Sequence, residues 1–263
     1  MKVLIASYHF PPFNVAASNR ALGWANYLPE AGVDTTVVTA NHPGEKVATN
    51  AEVIYLDIPS VPSQMSPHWT NDIPGASKIK TTIQHLQGEL DPQAQGASEV
   101  FKNWLFEHLK HHQYDYYIGI FSPHFHIEHA YLLHREFGLK YVIDFRDLFD
   151  NRYSMPNPVI SVKHRVLYEI ILQKWKKWMS GASGWITVGQ SLAMTLQNWF
   201  EKPGECIING VEVQEYQSFP EKTFDQFTVL YTGRIYSNQD LTIVFRAWQR
   251  FVEGKSNVQL MFL

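Results

Sequence analysis

At 263 residues, with 45% hydrophobic and 14% aromatic content, the chain is long enough for one large or two ordinary domains and apolar enough for a real core. Charged residues at 18% exclude a disordered chain, and a net charge of −3 excludes a global field that favours nucleic acid. The single cysteine, Cys206, excludes an intramolecular disulfide and suits a reducing compartment.

The first apolar run, from Met1 to Ser7, breaks at Tyr8-His9. That is short for a signal peptide, so it is expected to be a buried strand. No stretch approaches the roughly 20 apolar residues of a membrane-spanning helix. Strand-like runs, short and often β-branched, follow at 2–8, 34–40, 52–58, 115–121, 140–145, 184–188 and 206–208. Amphipathic stretches lie between most of them, at 18–30, 98–111, 123–137, 159–180 and 190–199. Ser18 is the expected cap of the first helix, with Gly32 just past its end. The alternation predicts an α/β fold, a Rossmann-like parallel sheet with helices on both faces.

Two stretches depart from the pattern. Residues 59–92 hold Pro59, Pro62, Pro67, Pro74 and Pro92 and read as an irregular excursion, with a short helix near 78–90. Residues 213–226 are polar, contain Pro220 and read as an inter-lobe linker. The pattern then restarts with strands at 227–232 and 258–263 around a helix. The expectation is a first domain over 1–212 and an incomplete second Rossmann-like domain over 227–263, so that a function needing both lobes is incomplete in this chain.

Five places carry candidate chemistry. The loop His9-Phe10-Pro11-Pro12-Phe13-Asn14-Val15-Ala16-Ala17-Ser18-Asn19-Arg20 leaves the first strand and enters a helix. Ligands of open α/β sheets bind at that edge, and a helix N-terminus favours an anion. Arg20 adds a formal charge. The alternative is a proline-stiffened turn with small residues for packing. No G-x-G-x-x-G is present, so a dinucleotide fingerprint is absent. The segment Asp144-Phe145-Arg146-Asp147 puts three charges at the end of a buried strand. Alternation sends Asp144 and Arg146 to one face and Phe145 and Asp147 to the other. Either the charges satisfy one another, or Arg146 holds phosphate and a carboxylate positions a hydroxyl.

His124, His126 and His129 with Glu128 suggest a metal, but on a helix His124 and His126 diverge by about 200°. A single histidine at the site edge, His124, is the better reading. The stretch Lys163–Met179 mixes lysines with Trp175 and Trp178, which suits a membrane interface; the alternative is an ordinary helix facing the core. Finally, Tyr231-Thr232-Gly233-Arg234 closes a strand with a glycine that admits a ligand and an arginine suited to a diphosphate.

Taken together, these residues resemble the family-four (GT4-type) retaining glycosyltransferases of the GT-B fold. The resemblance rests on His9-Phe10-Pro11-Pro12 followed by Asn19-Arg20, on Ile143-Asp144-Phe145-Arg146-Asp147 and on Ile186-Thr187-Val188. It continues through Ile207-Ile208-Asn209-Gly210-Val211 and Tyr231-Thr232-Gly233-Arg234, in the order that family shows. It implies two Rossmann-like lobes, the first taking a glycan or lipid-linked acceptor and the second a nucleotide-sugar donor, with no cofactor and no metal. The loop residues Phe13, Asn14, Ala16, Ala17, Ser18 and Arg20, with His124, then line the acceptor and diphosphate side. Arg234 stabilises the leaving diphosphate, and Arg146 and Asp147 are the catalytic candidates. Ala16-Ala17-Ser18 replaces the glycines many members carry, and Arg146 stands where many have a histidine, so that histidine's role is not carried over. The family's E-x₇-E pair is not in this sequence.

The leading expectation is therefore an acceptor lobe of a sugar-nucleotide-dependent transferase, inactive alone. It is expected to be cytoplasmic, with peripheral contact on the inner face of the membrane through Lys163–Met179. A non-catalytic binding module completed by a separate donor-lobe chain is the alternative. A metal-dependent hydrolase built on His124, His126 and His129 is a third reading.

Overall fold

Seven parallel strands form the larger sheet of this computed structural model, which describes residues 1–58, 96–148, 162–211, 223–233, 235 and 240–263. The predicted helix near 78–90, residues 213–222 of the predicted linker, and Arg234 lie outside the described residues. The chain divides into two units, Met1–Gly210 and Val211–Leu263.

In the first unit the elements run β1 (Lys2–Ser7), α1 (Ala16–Glu30), β2 (Asp34–Ala40), β3 (Glu52–Leu56), α2 (Ala97–Leu109), β4 (Tyr116–Phe121) and α3 (Phe125–Phe137). They continue with β5 (Lys140–Phe145), α4 (Val162–Met179), β6 (Gly184–Thr187), α5 (Gln190–Phe200) and β7 (Gly204–Cys206). The sheet order is β3-β2-β1-β4-β5-β6-β7. The chain thus grows outward from β1 to one edge, returns to β4 and grows to the other. β1 pairs with β2 from Lys2↔Asp34 to Ser7↔Thr39 and with β4 from Val3↔Tyr116 to Ala6↔Gly119. The order reverses between β1 and β4, and ligands of such sheets bind where loops diverge at that point.

The strands are apolar on both faces because both are covered. Alternate residues feed two cores. Val3, Ile5, Val37, Ile118 and Ile120 pack on one face with Ala21 and Ala25 of α1. Leu4, Ala6, Val38, Tyr117 and Phe121 face the other with Phe101, Ile127, Leu133 and Trp175. In α4 the inward stripe is Tyr168, Ile171, Leu172, Trp175, Trp178 and Met179, all buried. Of the two readings of this helix, the core-facing one fits its tryptophans: both are buried, and Trp175 is fully enclosed.

Two local readings change. The first helix starts at Ala16 with Val15 in the extended N-cap position, so Ser18 lies inside the helix, buried, with no partner for its hydroxyl among the described residues. Gly32 does follow the helix end, at φ 79°. The last strand of the sheet is Gly204–Cys206 rather than 206–208, and Ile207 and Ile208 are exposed.

In the second unit β8 (Phe227–Tyr231) and β9 (Val258–Phe262) pair in parallel from Phe227↔Val258 to Tyr231↔Phe262, joined through α6 (Thr242–Val252). Phe251 packs on Phe227 and Phe245 on Phe262, so the helix covers one face of this small sheet. No helix among the described residues is long and apolar enough to cross a membrane.

Candidate functional site

The loops leaving β1, β2, β4 and β5 meet at the switch point. After β1, Phe10 is fully buried and anchors the loop, and the Phe13 N–H donates to its carbonyl at 3.1 Å. This lifts Phe13 back over His9, with ring centroids 5.3 Å apart and planes within 16°. His42, two residues past β2, stacks on Phe13 at 4.8 Å, and its Nε2–H donates to the Tyr8 carbonyl at 2.9 Å. Three partly buried aromatic rings therefore line one side of the site.

Arg146 supplies the charge beside them. Its Nε–H donates to the carbonyl of Phe121 at 3.0 Å, which ties the end of β5 to the end of β4. Burial pushes the guanidinium down from its usual range, while Asp147 and Asp144 act to hold it up. Burial also raises the Asp147 carboxyl, against the opposing pull of Arg146. His9 is held down at about 4, by burial first and then by Arg146 and His42. It is neutral at pH 7, and its Nδ1 has no partner among the described residues.

The Arg20 side chain is not free for a ligand. Its Nε lies 2.6 Å from Asp144 Oδ2, with both side chains buried. Its Nη1 donates to the Ile207 carbonyl at 2.8 Å and to Asn209 Oδ1 at 3.3 Å. Trp24 Nε1–H donates to the same Asp144 oxygen at 3.0 Å. The alternative in which the charges of Asp144–Asp147 satisfy one another does not hold for Asp144, whose partner is Arg20 of α1. Arg20 Nη2 and Asp144 Oδ1 remain unpartnered among the described residues.

No described side chain caps the N-terminus of α1; the Ser18 N–H donates to the Val15 carbonyl at 2.9 Å, and the donors of Ala16 and Ala17 before it are left for solvent or a ligand. Ala16 and Asn14 are exposed, whereas Ala17 and Ser18 are buried.

His124 is not at the site edge. It is buried as the N-cap residue of α3, and its Nδ1 accepts from Trp175 Nε1 at 3.1 Å. His126 and His129 face the core beside Phe101 and Phe125. His129 Nε2 shares a hydrogen bond with Ser98 Oγ at 3.2 Å, and both His126 nitrogens lack partners among the described residues. Among the described residues no group of three His, Cys, Asp or Glu is placed to hold a metal ion.

The structure thus joins residues the sequence separated and separates some it joined. His42 escaped the reading as a site residue, and His9, though it opens the candidate loop, was given no role. The signal for His42 was its place just after a strand that neighbours the first one, at the same sheet edge. Asn209 lay in a noted segment, but nothing local pointed to Arg20.

No protein-family model matches the chain, and no curated protein matches it. Solved structures do. The catalytic domain of starch synthase IV from Arabidopsis thaliana, bound to ADP and acarbose, aligns over 99% of this chain and 68% of its own length, with TM-score 0.57 and 9% identity. UGT89C1 of Arabidopsis thaliana, complexed with UDP-L-rhamnose, aligns over 99% and 64%, with TM-score 0.53 and 12% identity. Sucrose-phosphate synthase from Thermosynechococcus elongatus aligns over 98% and 69%, with TM-score 0.51 and 15% identity. At these identities the likeness is one of fold: the parallel sheet and its helices match the Rossmann-like domains of GT-B glycosyltransferases.

Proposed function

We propose that this chain is a GT-B glycosyltransferase of the retaining, family-four type, which transfers a sugar from a nucleotide-sugar to a glycan or lipid-linked acceptor. The observation that carries the reading is the placement of Arg146 and neutral His9 together at the β1/β4 switch point, beside the uncapped start of α1. In this reading Met1–Gly210 holds the acceptor and the Val211–Leu263 unit contributes to donor binding.

The chemistry needs one bond broken and one formed. The anomeric carbon leaves the phosphate oxygen, the acceptor oxygen bonds to that carbon, and the acceptor proton departs with the nucleoside diphosphate. Negative charge grows on the diphosphate, so fixed cations and N–H donors aimed at it lower the barrier. Arg146 supplies such a cation, and the first-turn donors at Ala16 and Ala17 add partial charge. Arg234 is assigned to donor-diphosphate binding by the family resemblance of its sequence segment alone. Asp147 and His9 accept hydrogen bonds from an acceptor hydroxyl, and Phe13 with His42 offers a ring face beside it. Arg20 has a supporting role here: it holds Asp144 and the segment through Asn209 in place.

The test is incubation of the full-length protein with ADP-sugars and UDP-sugars and a panel of glycan and lipid-linked acceptors. A glycosylated product of unchanged anomeric configuration is expected. Product of inverted configuration overturns the retaining assignment, and donor binding without product favours a non-catalytic binding module.

A further inference from the structure

Helix α4 carries a second apolar stripe that the core does not use. Val162, Val166 and Ile170 recur every four residues, so they align along one face. They are 78%, 54% and 37% exposed. Further along that face, Ile170 joins Glu169, Gln173, Lys174 and Lys177 around a shallow groove of ≈ 430 Å³. The helix sequence holds Lys163, Arg165, Lys174, Lys176 and Lys177 against a single carboxylate, Glu169. The whole chain is weighted the other way, with 22 Lys and Arg against 25 Asp and Glu. Positive charge is thus concentrated on the helix that shows the apolar stripe. Glu128 of α3 lies within electrostatic reach of Lys174 and Lys177 and offsets them in part. None of Arg165, Lys174, Lys176 and Lys177 forms an ion pair with a described residue.

We propose that this face docks on an anionic phospholipid surface, with Val162, Val166 and Ile170 at the boundary of headgroups and acyl chains. Arg165, Lys174, Lys176 and Lys177 then lie at phosphate level. A helix with an aliphatic stripe flanked by cations lies in such an interface, and long basic side chains reach outward from it to the headgroups. A protein partner fits less well, because interface centres are enriched in aromatic residues and depleted in lysine, the reverse of this surface. Nucleic acid fits less well again, since phosphate contact alone leaves an aliphatic stripe without a role. The inference deepens the transferase reading, on which its biological sense rests, by naming the surface where a lipid-linked acceptor is met. The tryptophans are no part of the anchor, because both are buried in the core.

The experiment is flotation of the full-length protein with vesicles of phosphatidylcholine alone, or with roughly one part in three phosphatidylglycerol, at low and high salt. Binding is expected only to the anionic vesicles, and raised salt should weaken it. Reversal of Lys176 and Lys177 to Glu should lower the partition at least about fivefold per charge. Val166→Glu with Ile170→Glu should abolish binding. All four positions are exposed, and an unchanged circular dichroism melt confirms that the variants fold. Equal binding to both vesicle types overturns the proposal, as does absence of binding or full binding by the variants. Self-association through these residues without vesicle binding overturns it in favour of a second copy. No nucleotide-sugar enters the assay, so its outcome is independent of the test of glycosyl transfer.

Discussion

Arg20 in α1 and Asp144 at the end of β5 are 124 residues apart in sequence and form a buried ion pair, Nε to Oδ2, at 2.6 Å. The pair fixes the first helix against the middle of the sheet. Through Nη1 it also fixes the Ile207 carbonyl and Asn209 at the far end of the same unit. Removing one partner leaves a buried charge without compensation, which typically costs about 3–5 kcal/mol, whereas replacing both by apolar groups is far less harmful. Arg20→Met and Asp144→Leu should each lower stability by that order in urea titrations. The double variant should be more stable than either single one. Additive losses would show that the two residues do not act as a unit.

Acid should destabilise the fold through histidines that are buried neutral. His129 is held down at about 3, chiefly by burial and then by Lys102. His126 is held well below its usual value by burial, then by His129 and His9. In the unfolded chain both take up protons as pH falls through about 6.5, while in the folded protein they do not until lower pH. The unfolded state then binds more protons, so stability is full above about 6.5 and falls as pH drops below it. The slope is about 1.4 kcal/mol per pH unit for each such histidine. His126→Leu keeps the site beside Phe101 apolar and should reduce the loss of stability between pH 7 and pH 5. Urea midpoints at the two pH values provide the check, and an unchanged difference would refute this role for His126.

A β-carbon at Gly204 would sit 2.1 Å from two atoms of the Trp185 ring system. That ring is pinned, since its Nε1–H donates to the Lys202 carbonyl at 3.0 Å. Gly204→Ala should therefore overpack β7 against β6 and cost about 1–3 kcal/mol in denaturant. Gly189→Ala is the contrast, because nothing lies within 4 Å of a β-carbon there.

Much of the sheet was legible because strands covered on both faces appear as short, uninterrupted β-branched runs. Asp34–Ala40 and Lys140–Phe145 match the reading to the residue. The seventh strand was misplaced by two residues for a physical reason. Gly204 reads as a breaker, yet it is glycine because Trp185 occupies its β-carbon position, while the apolar Ile207 and Ile208 that drew the reading are exposed. Helix α4 has two apolar stripes, one buried and one not, and periodicity alone does not say which meets the sheet. The partner of Asp144 was illegible for the same reason as Asn209: it comes from a distant segment, 124 residues away in sequence. The loop after β1 was legible as a site edge, but the stacking of His9, Phe13 and His42 depends on the adjacency of β1 and β2.

The central claim is that Arg146, beside neutral His9, stabilises charge on a departing nucleoside diphosphate. The direct measurement is nucleoside diphosphate release by the full-length protein with an acceptor present, for wild type, Arg146→Ala and Arg146→Lys. Loss of a fixed cation or donor aimed at developing charge costs roughly 10²–10³ in kcat. Arg146→Ala should show that loss, and lysine should rescue it poorly because it cannot hold the Phe121 carbonyl and a ligand in one planar fork. Turnover within about twofold of wild type in Arg146→Ala, well outside that range, would contradict the account.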